Sequence, residues 1–248
     1  MPHLFKAVSG QNRYYAWFSA LHTRVDLLLL GSLSESDFQA AEEAVRAELL
    51  AVEKMGNRFD PDSELSRAVA AANALSSSLS PALYSLLDRC LRANRETGGL
   101  FDITINTPDF HPGFINAVHL TPFPDSPGGT LSFHRASLIP HPSLILDLSG
   151  ILKGYALERL RVLLPPLGIK DALINLGNSS ILSLGHNPSD IPPGHCLTTS
   201  GNSTPDRHHI RNPLTGEFIT GRRQVSVTTA DAIDGEILAT VTFIKTAI

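Results

Sequence analysis

Cysteine is scarce in this chain, basic clusters are missing, and no long apolar run or internal repeat is found. Two cysteines, Cys90 and Cys196, in 248 residues exclude a disulfide framework. Cys90 falls in a helical pattern and is expected as a buried apolar residue. A net charge of −4 with no basic cluster argues against a nucleic-acid partner, which needs a cationic face to neutralise phosphates. The opening residues Met1-Pro2-His3-Leu4-Phe5-Lys6 lack the basic region and apolar run of a secretory signal. A cytoplasmic location is therefore expected, or a periplasmic one if a leader has been removed. The apolar run at 27–30 is far too short to span a bilayer. Strands and helices mix without a clean βαβ alternation, which points to an α+β chain rather than a doubly wound one.

The length is enough for a full core, and 42% hydrophobic with 18% charged residues is ordinary for a globular protein. No composition break divides the chain, so one domain over residues 1–248 is expected. Residues 22–30 read as an early strand. Ser34 and Asp37 form a capping box for a long helix, with Phe38, Ala41, Val45, Leu49, Val52 and Met55 on one face. Further helices are expected at 64–74, at 82–97 behind Ser80-Pro81, and at 155–164. Strands are expected at 101–105, at 131–139 paired with 144–148, at 172–176 paired with 181–184, and at 196–199 and 225–229. Residues 106–130, rich in proline and glycine, read as a long loop, and 235–242 as either helix or strand.

Chemistry concentrates at element ends. Leu146-Asp147-Leu148-Ser149-Gly150-Ile151-Leu152-Lys153-Gly154-Tyr155 runs from an apolar segment through small residues into a helix start. Unpaired N–H groups and the helix dipole favour an anion there, and Lys153 adds a full charge. A turn with a solvated lysine is the plainer account of the same residues. Asn175-Leu176-Gly177-Asn178-Ser179-Ser180 has the chemistry of a hairpin turn. Thr198-Thr199-Ser200-Gly201-Asn202 ends a strand in hydroxyls and a glycine, a combination able to offer N–H groups to phosphate. In Arg207-His208-His209-Ile210-Arg211-Asn212-Pro213 no third ligand follows at zinc spacing. A proton-accepting histidine and a pair of surface histidines both remain open. Near the C-terminus, Asp231, Asp234 and Glu236 lie within one short segment, and Thr240 follows Glu236 at helical spacing. Carboxylate with hydroxyl suits Mg²⁺, while acids at a helix start are also ordinary capping.

Taken in order, these pieces resemble the FAD:protein FMN transferase (ApbE) family. Residues 59–67 (Phe59-Asp60-Pro61-Asp62-Ser63-Glu64-Leu65-Ser66-Arg67) with Asn73 are similar to the segment after the family's first long helix. Gly98-Gly99-Leu100-Phe101-Asp102-Ile103-Thr104 resembles its Gly-x-Phe-Asp-x-Thr motif. Asp147 to Tyr155 resembles its Asp-Leu-Gly-Gly-Ile-Ala-Lys-Gly-Tyr core. Asn175-Leu176-Gly177, Thr199-Ser200-Gly201, His209 to Gly216 and Gly235 to Thr240 match the positions of four further motifs. Seven motifs in the correct order are specific where one would not be.

The resemblance implies a mixed α/β single domain of the ApbE-like type, mainly antiparallel sheets with packed helices. It implies transfer of the FMN part of FAD to a threonine hydroxyl of an acceptor flavoprotein, with release of AMP. By the same resemblance Lys153, Ser200 and Gly201 hold phosphate oxygens, and Glu236, Thr240 and the Leu152 carbonyl bind Mg²⁺. His209 accepts the threonine proton, and Asn73, Asp102, Thr104 and Asp147 shape the flavin-binding region. The chain departs from the family at several points. Glu236 stands where the family has aspartate, and Asn178-Ser179 replaces the acidic end of Asn-Leu-Gly-Gly-Asp. Leu21-His22-Thr23 replaces Met-Gly-Thr. The Pro-Leu-x-x-x-Trp pattern after the Phe-Asp motif is missing, and the stretch between Thr104 and Leu146 is short. The alternative to an active transferase is an FAD-binding protein of the same fold with weak or lost catalysis. On the motif alone, Glu236→Asp is expected to raise activity or Mg²⁺ affinity. A role as flavinylation target has little support, because no Ser/Thr-Gly precedes Ala239-Thr240.

Overall fold

The computed structural model describes residues 3–7, 11–72, 77–121, 134–138, 143–202, 204 and 209–247. The chain forms two compact units from interleaved segments. The first comprises Met1–Glu53, Gly150–Gly201 and Arg223–Phe243, and the second Lys54–Ser149, Asn202–Arg222 and Ile244–Ile248.

The first unit is built on a sheet of β1 (His3–Lys6), β2 (Asn12–Ala20), β3 (Thr23–Gly31), β7 (Asp171–Leu176), β8 (Ser180–Leu184), β9 (Cys196–Asn202) and β10 (Arg223–Thr229), in the order β1-β2-β3-β7-β8-β9-β10. Neighbours from β1 to β9 run antiparallel. Register follows the two-residue period of the side chains. Tyr14, Leu29 and Ala172 align across three strands, as do Ala16, Leu27 and Ile174, and all six are buried. Each large side chain removed from water this way contributes roughly 1.5–3 kcal/mol. The helices α1 (Glu35–Gly56), α4 (Leu152–Leu163) and α5 (Ala232–Lys245) belong mainly to this unit. The expected stripe on α1, from Phe38 to Met55, is buried. Its capping box forms in both directions: Asp37 N–H donates to Ser34 Oγ at 3.3 Å and Ser34 N–H to Asp37 Oδ2 at 3.2 Å.

The second unit contains α2 (Glu64–Ala72), α3 (Pro81–Glu96) and a three-stranded antiparallel sheet of β4 (Ser77–Leu79), β6 (His134–Leu138) and β5 (Val118–Thr121), in the order β4-β6-β5. Ser80 caps α3, and Gly98 and Gly99, at φ +64° and +86°, turn the chain after it. Cys90 is buried in α3, as expected. No helix among the described residues is long and apolar enough to cross a membrane.

Several local expectations change. Residues 101–105 form turns rather than a strand, because the Asp102 carboxylate accepts the N–H of Thr104 at 2.8 Å and competes with a ladder. Residues 144–148 are extended, with Leu144, Leu146 and Leu148 buried in alternation, yet they form no strand. Their bonds go to Thr107 and to the carbonyl of Ile103. The partners of β6 are β4 and β5, so the expected pairing with 144–148 is not made; residues 131–133 and 139–142 lie outside the described set. The loop expected at 106–130 contains β5, and 235–242 is helical. β1, β2 and β4 were not anticipated.

Candidate functional site

In the first unit, the expected residues Lys153 and Glu236 lie where α4, α5 and the β7–β8 turn come together. The turn needs its glycine: Gly177 and Asn178 both have positive φ, +65° and +60°. Asn175 Oδ1 accepts the N–H of Asn178 at 2.9 Å, which locks the turn and presents Ser179 and Ser180. Lys153, part-buried in the first turn of α4, donates its Nζ to Ser179 Oγ. Glu236 is only 5% exposed and lies near the start of α5. Its Oε1 accepts from Ser180 Oγ at 2.5 Å, and its carboxylate also accepts the backbone N–H of Gly154. Burial raises the Glu236 carboxyl above its ordinary value, and the neighbouring Lys153 charge, Ser180 and Gly154 pull it part of the way back.

Gly154 makes this approach possible. A Cβ there would lie 2.5 Å from the carbonyl oxygen of Ala232 and 2.7 Å from Glu236 Cγ. At Gly150, by contrast, a Cβ would meet none of the described atoms within 4 Å, so the approach to the α4 start is open there. α4 has no side-chain cap at Ile151, leaving its first N–H groups to other acceptors. Ser200 Oγ and Thr240 Oγ1 lie 3.1 Å apart, joining the end of β9 to the same helix that carries Glu236. Gly201, at φ +145°, packs against the backbone of Arg223 and Gln224 too closely for a side chain. Leu152 opens α4 with its side chain buried.

The second unit holds another polar cluster. Asp102 Oδ1 accepts from Thr104 N–H at 2.8 Å and Thr104 Oγ1 at 2.6 Å, and Oδ2 from Asn94 Nδ2 at 3.3 Å. Burial nevertheless holds the Asp102 carboxyl above its ordinary 3.8. Asp147 forms an ion pair with Arg58, Nε lying 2.8 Å from Oδ2, and accepts from Asn106 Nδ2 at 2.6 Å and Ser149 N–H at 2.9 Å. The Arg58 guanidinium also lies 4.0 Å from the ring centroid of Phe59, a residue 69% exposed. His209 is exposed and begins a loop fastened by Arg211, whose Nη1 donates to the carbonyl of Ile105 at 3.1 Å and Nε to that of Gly216 at 3.0 Å. Asn73 lies outside the described residues.

The structure thus gathers Lys153, Glu236, Ser200 and Thr240 in one unit, and Asp102, Thr104 and Asp147 in the other. The sequence reading missed Ser179 and Ser180 as partners of Lys153 and Glu236, and Arg58, Asn94 and Asn106 as partners of the two aspartates. The pair of hydroxyls that follows the Gly177-Asn178 turn is the sequence signal for the serines. Among the described residues no three His, Cys, Asp or Glu side chains gather as a metal site on their own.

An antiparallel sheet with packed helices, a lysine at a helix start and a helix carrying a carboxylate and a hydroxyl define an α+β protein. Comparison with known proteins places it more closely. The ApbE family model matches residues 21–247, and the chain belongs to the ApbE family. Among solved structures, the flavin transferase ApbE from Vibrio cholerae superposes with a TM-score of 0.75 at 19% identity, covering 94% of this chain and 87% of that one. The ApbE protein from Thermotoga maritima gives 0.73 at 19%, covering 95% and 87%. The apo form of the flavinyl transferase ApbE from Pseudomonas stutzeri gives 0.73 at 16%, covering 94% and 84%. No curated protein sequence matches.

Proposed function

We propose that the protein transfers the FMN portion of FAD to a threonine hydroxyl of an acceptor protein and releases AMP. The observation that carries this reading is the cluster at the start of α4. There Lys153 and the Glu236 carboxylate, which takes the N–H of Gly154, lie together within segments that resemble family motifs. In the reaction the acceptor Oγ forms a bond to the phosphorus of the FMN phosphate. The bond from that phosphorus to the AMP oxygen breaks, and the threonine proton leaves to a base. Such chemistry calls for charge neutralisation and positioning.

Lys153 and the Ser200-Gly201 strand end would hold phosphate oxygens. His209 would take the proton, and Asn73, Asp102, Thr104 and Asp147 would shape the flavin-binding region. The all-oxygen donor set of Glu236, Thr240 and the Leu152 carbonyl fits Mg²⁺, which accepts few protein ligands and completes its shell with water and phosphate. When bound, that ion would offset charge on the pyrophosphate. The second reading, an FAD-binding protein with weak catalysis, draws on Ser179, which stands where the family motif has a carboxylate.

Incubation with FAD, Mg²⁺ and a domain carrying an acceptor threonine separates the two. Transfer gives covalent flavin fluorescence on the acceptor and one AMP per flavin attached. His209→Ala and Lys153→Ala are expected to lower the rate at least about a hundredfold. Wild type and His209→Ala equally silent, with FAD still bound, would leave only the second reading.

A further inference from the structure

Glu236 has one methylene more than the aspartate of the family motif, and the structure shows where that reach goes. Its Oε1 meets Ser180 Oγ at 2.5 Å, with both residues buried. The same carboxylate takes the N–H of Gly154. Lys153, next to Gly154 in the chain, donates to Ser179, next to Ser180. Two adjacent residues of α4 and two adjacent residues at the β7–β8 turn therefore close a ring through one acid. Gly154 leaves no slack in that ring, since any side chain there would collide with Glu236 Cγ and the Ala232 carbonyl.

We propose that Ser180 is a positioning residue matched to the longer acid: its hydroxyl fixes the Glu236 carboxylate, and a shorter acid would leave it unsatisfied. The extra methylene is then part of the site rather than a handicap to it. Glu236→Asp alone should weaken the site, reversing the expectation drawn from the motif. A buried serine that merely fills space would show no such dependence on the acid. The consequence for cation binding rests on the proposed function; the Ser180–Glu236 coupling does not.

A double-mutant cycle with Ser180→Ala, Glu236→Asp and their combination tests it, with Ser180→Thr as the conservative control. In titration calorimetry of FAD binding against Mg²⁺, each single change should raise the half-saturating Mg²⁺ concentration about tenfold, with the double variant within about twofold of either. Ser180→Thr should stay within about twofold of wild type, because it keeps the hydroxyl. Urea unfolding of the unliganded proteins should show the same non-additivity. Additive losses, an unaffected Ser180→Ala, or a Ser180→Thr variant as impaired as Ser180→Ala would overturn the proposal. Should Mg²⁺ leave FAD binding unchanged in wild type, the cation assignment fails. The unfolding cycle then decides the pairing by itself, non-additive losses supporting it and additive losses rejecting it.

Discussion

The carboxylate of Asp147 is fully engaged by protein donors, which makes it a tie between loops as well as part of a motif. Arg58, Asn106 and the N–H of Ser149 all reach it. Arg58→Ala would leave a nearly buried acid with its two weaker partners, and a loss of about 2–3 kcal/mol is expected by urea unfolding. Asp102 offers a test in pH. Its folded carboxyl keeps its proton to higher pH than the unfolded chain, because burial outweighs the bonds from Thr104 and Asn94. That contribution is complete below the ordinary value of 3.8 and fades as pH climbs through the raised folded value. Asp102→Asn removes the titration, so the variant should gain stability relative to wild type as pH rises above 3.8 when both are unfolded in urea. At this scale the sequence announces the motif residues well. Lys153 and Glu236 are legible because their types and spacing are unusual. Ser180 and Arg58 are ordinary residues whose partners lie far along the chain, 56 positions away for Ser180, and only the fold supplies them.

Among elements, the contact of α4 with α5 is tightly constrained at Gly154. Gly154→Ala would drive a methyl into the Ala232 carbonyl, and a loss of about 1–3 kcal/mol is expected in thermal unfolding, with weaker FAD binding. The cap of α3 gives a milder test. Ser80 Oγ accepts the N–H of Leu83 at 3.2 Å while Glu64 accepts the N–H of Ser80 at 2.6 Å. Ser80→Ala should cost about 1 kcal/mol in the same measurement. Long amphipathic helices such as α1 were readable because cap, periodicity and burial all agree. The segments at 101–105 and 144–148 carried strand-like composition, but side chains from Asp102 and Thr107 bind the backbone groups a strand would use. Periodicity reports which side of a segment is buried, and the alternation at Leu144, Leu146 and Leu148 did so correctly. It does not report what the backbone bonds to.

For the molecule as a whole, the family fold persists at 16–19% identity to solved relatives. If FAD is the substrate, binding must stabilise the folded chain. At a hundredfold excess over its dissociation constant the gain is about 2.7 kcal/mol, a rise in Tm of roughly 5–10 °C by scanning calorimetry. FMN or AMP alone should give a smaller rise, since each carries only part of the contacts. The order in which the sheet is assembled has a further consequence, during synthesis. Strand β3 ends at Gly31, yet its other neighbour, β7, begins only at Asp171. At about 5–20 residues per second a ribosome needs roughly 7–30 seconds to deliver that partner. For that interval the edge of β3 along Leu27 to Leu30 waits for the strand that covers it in the folded sheet.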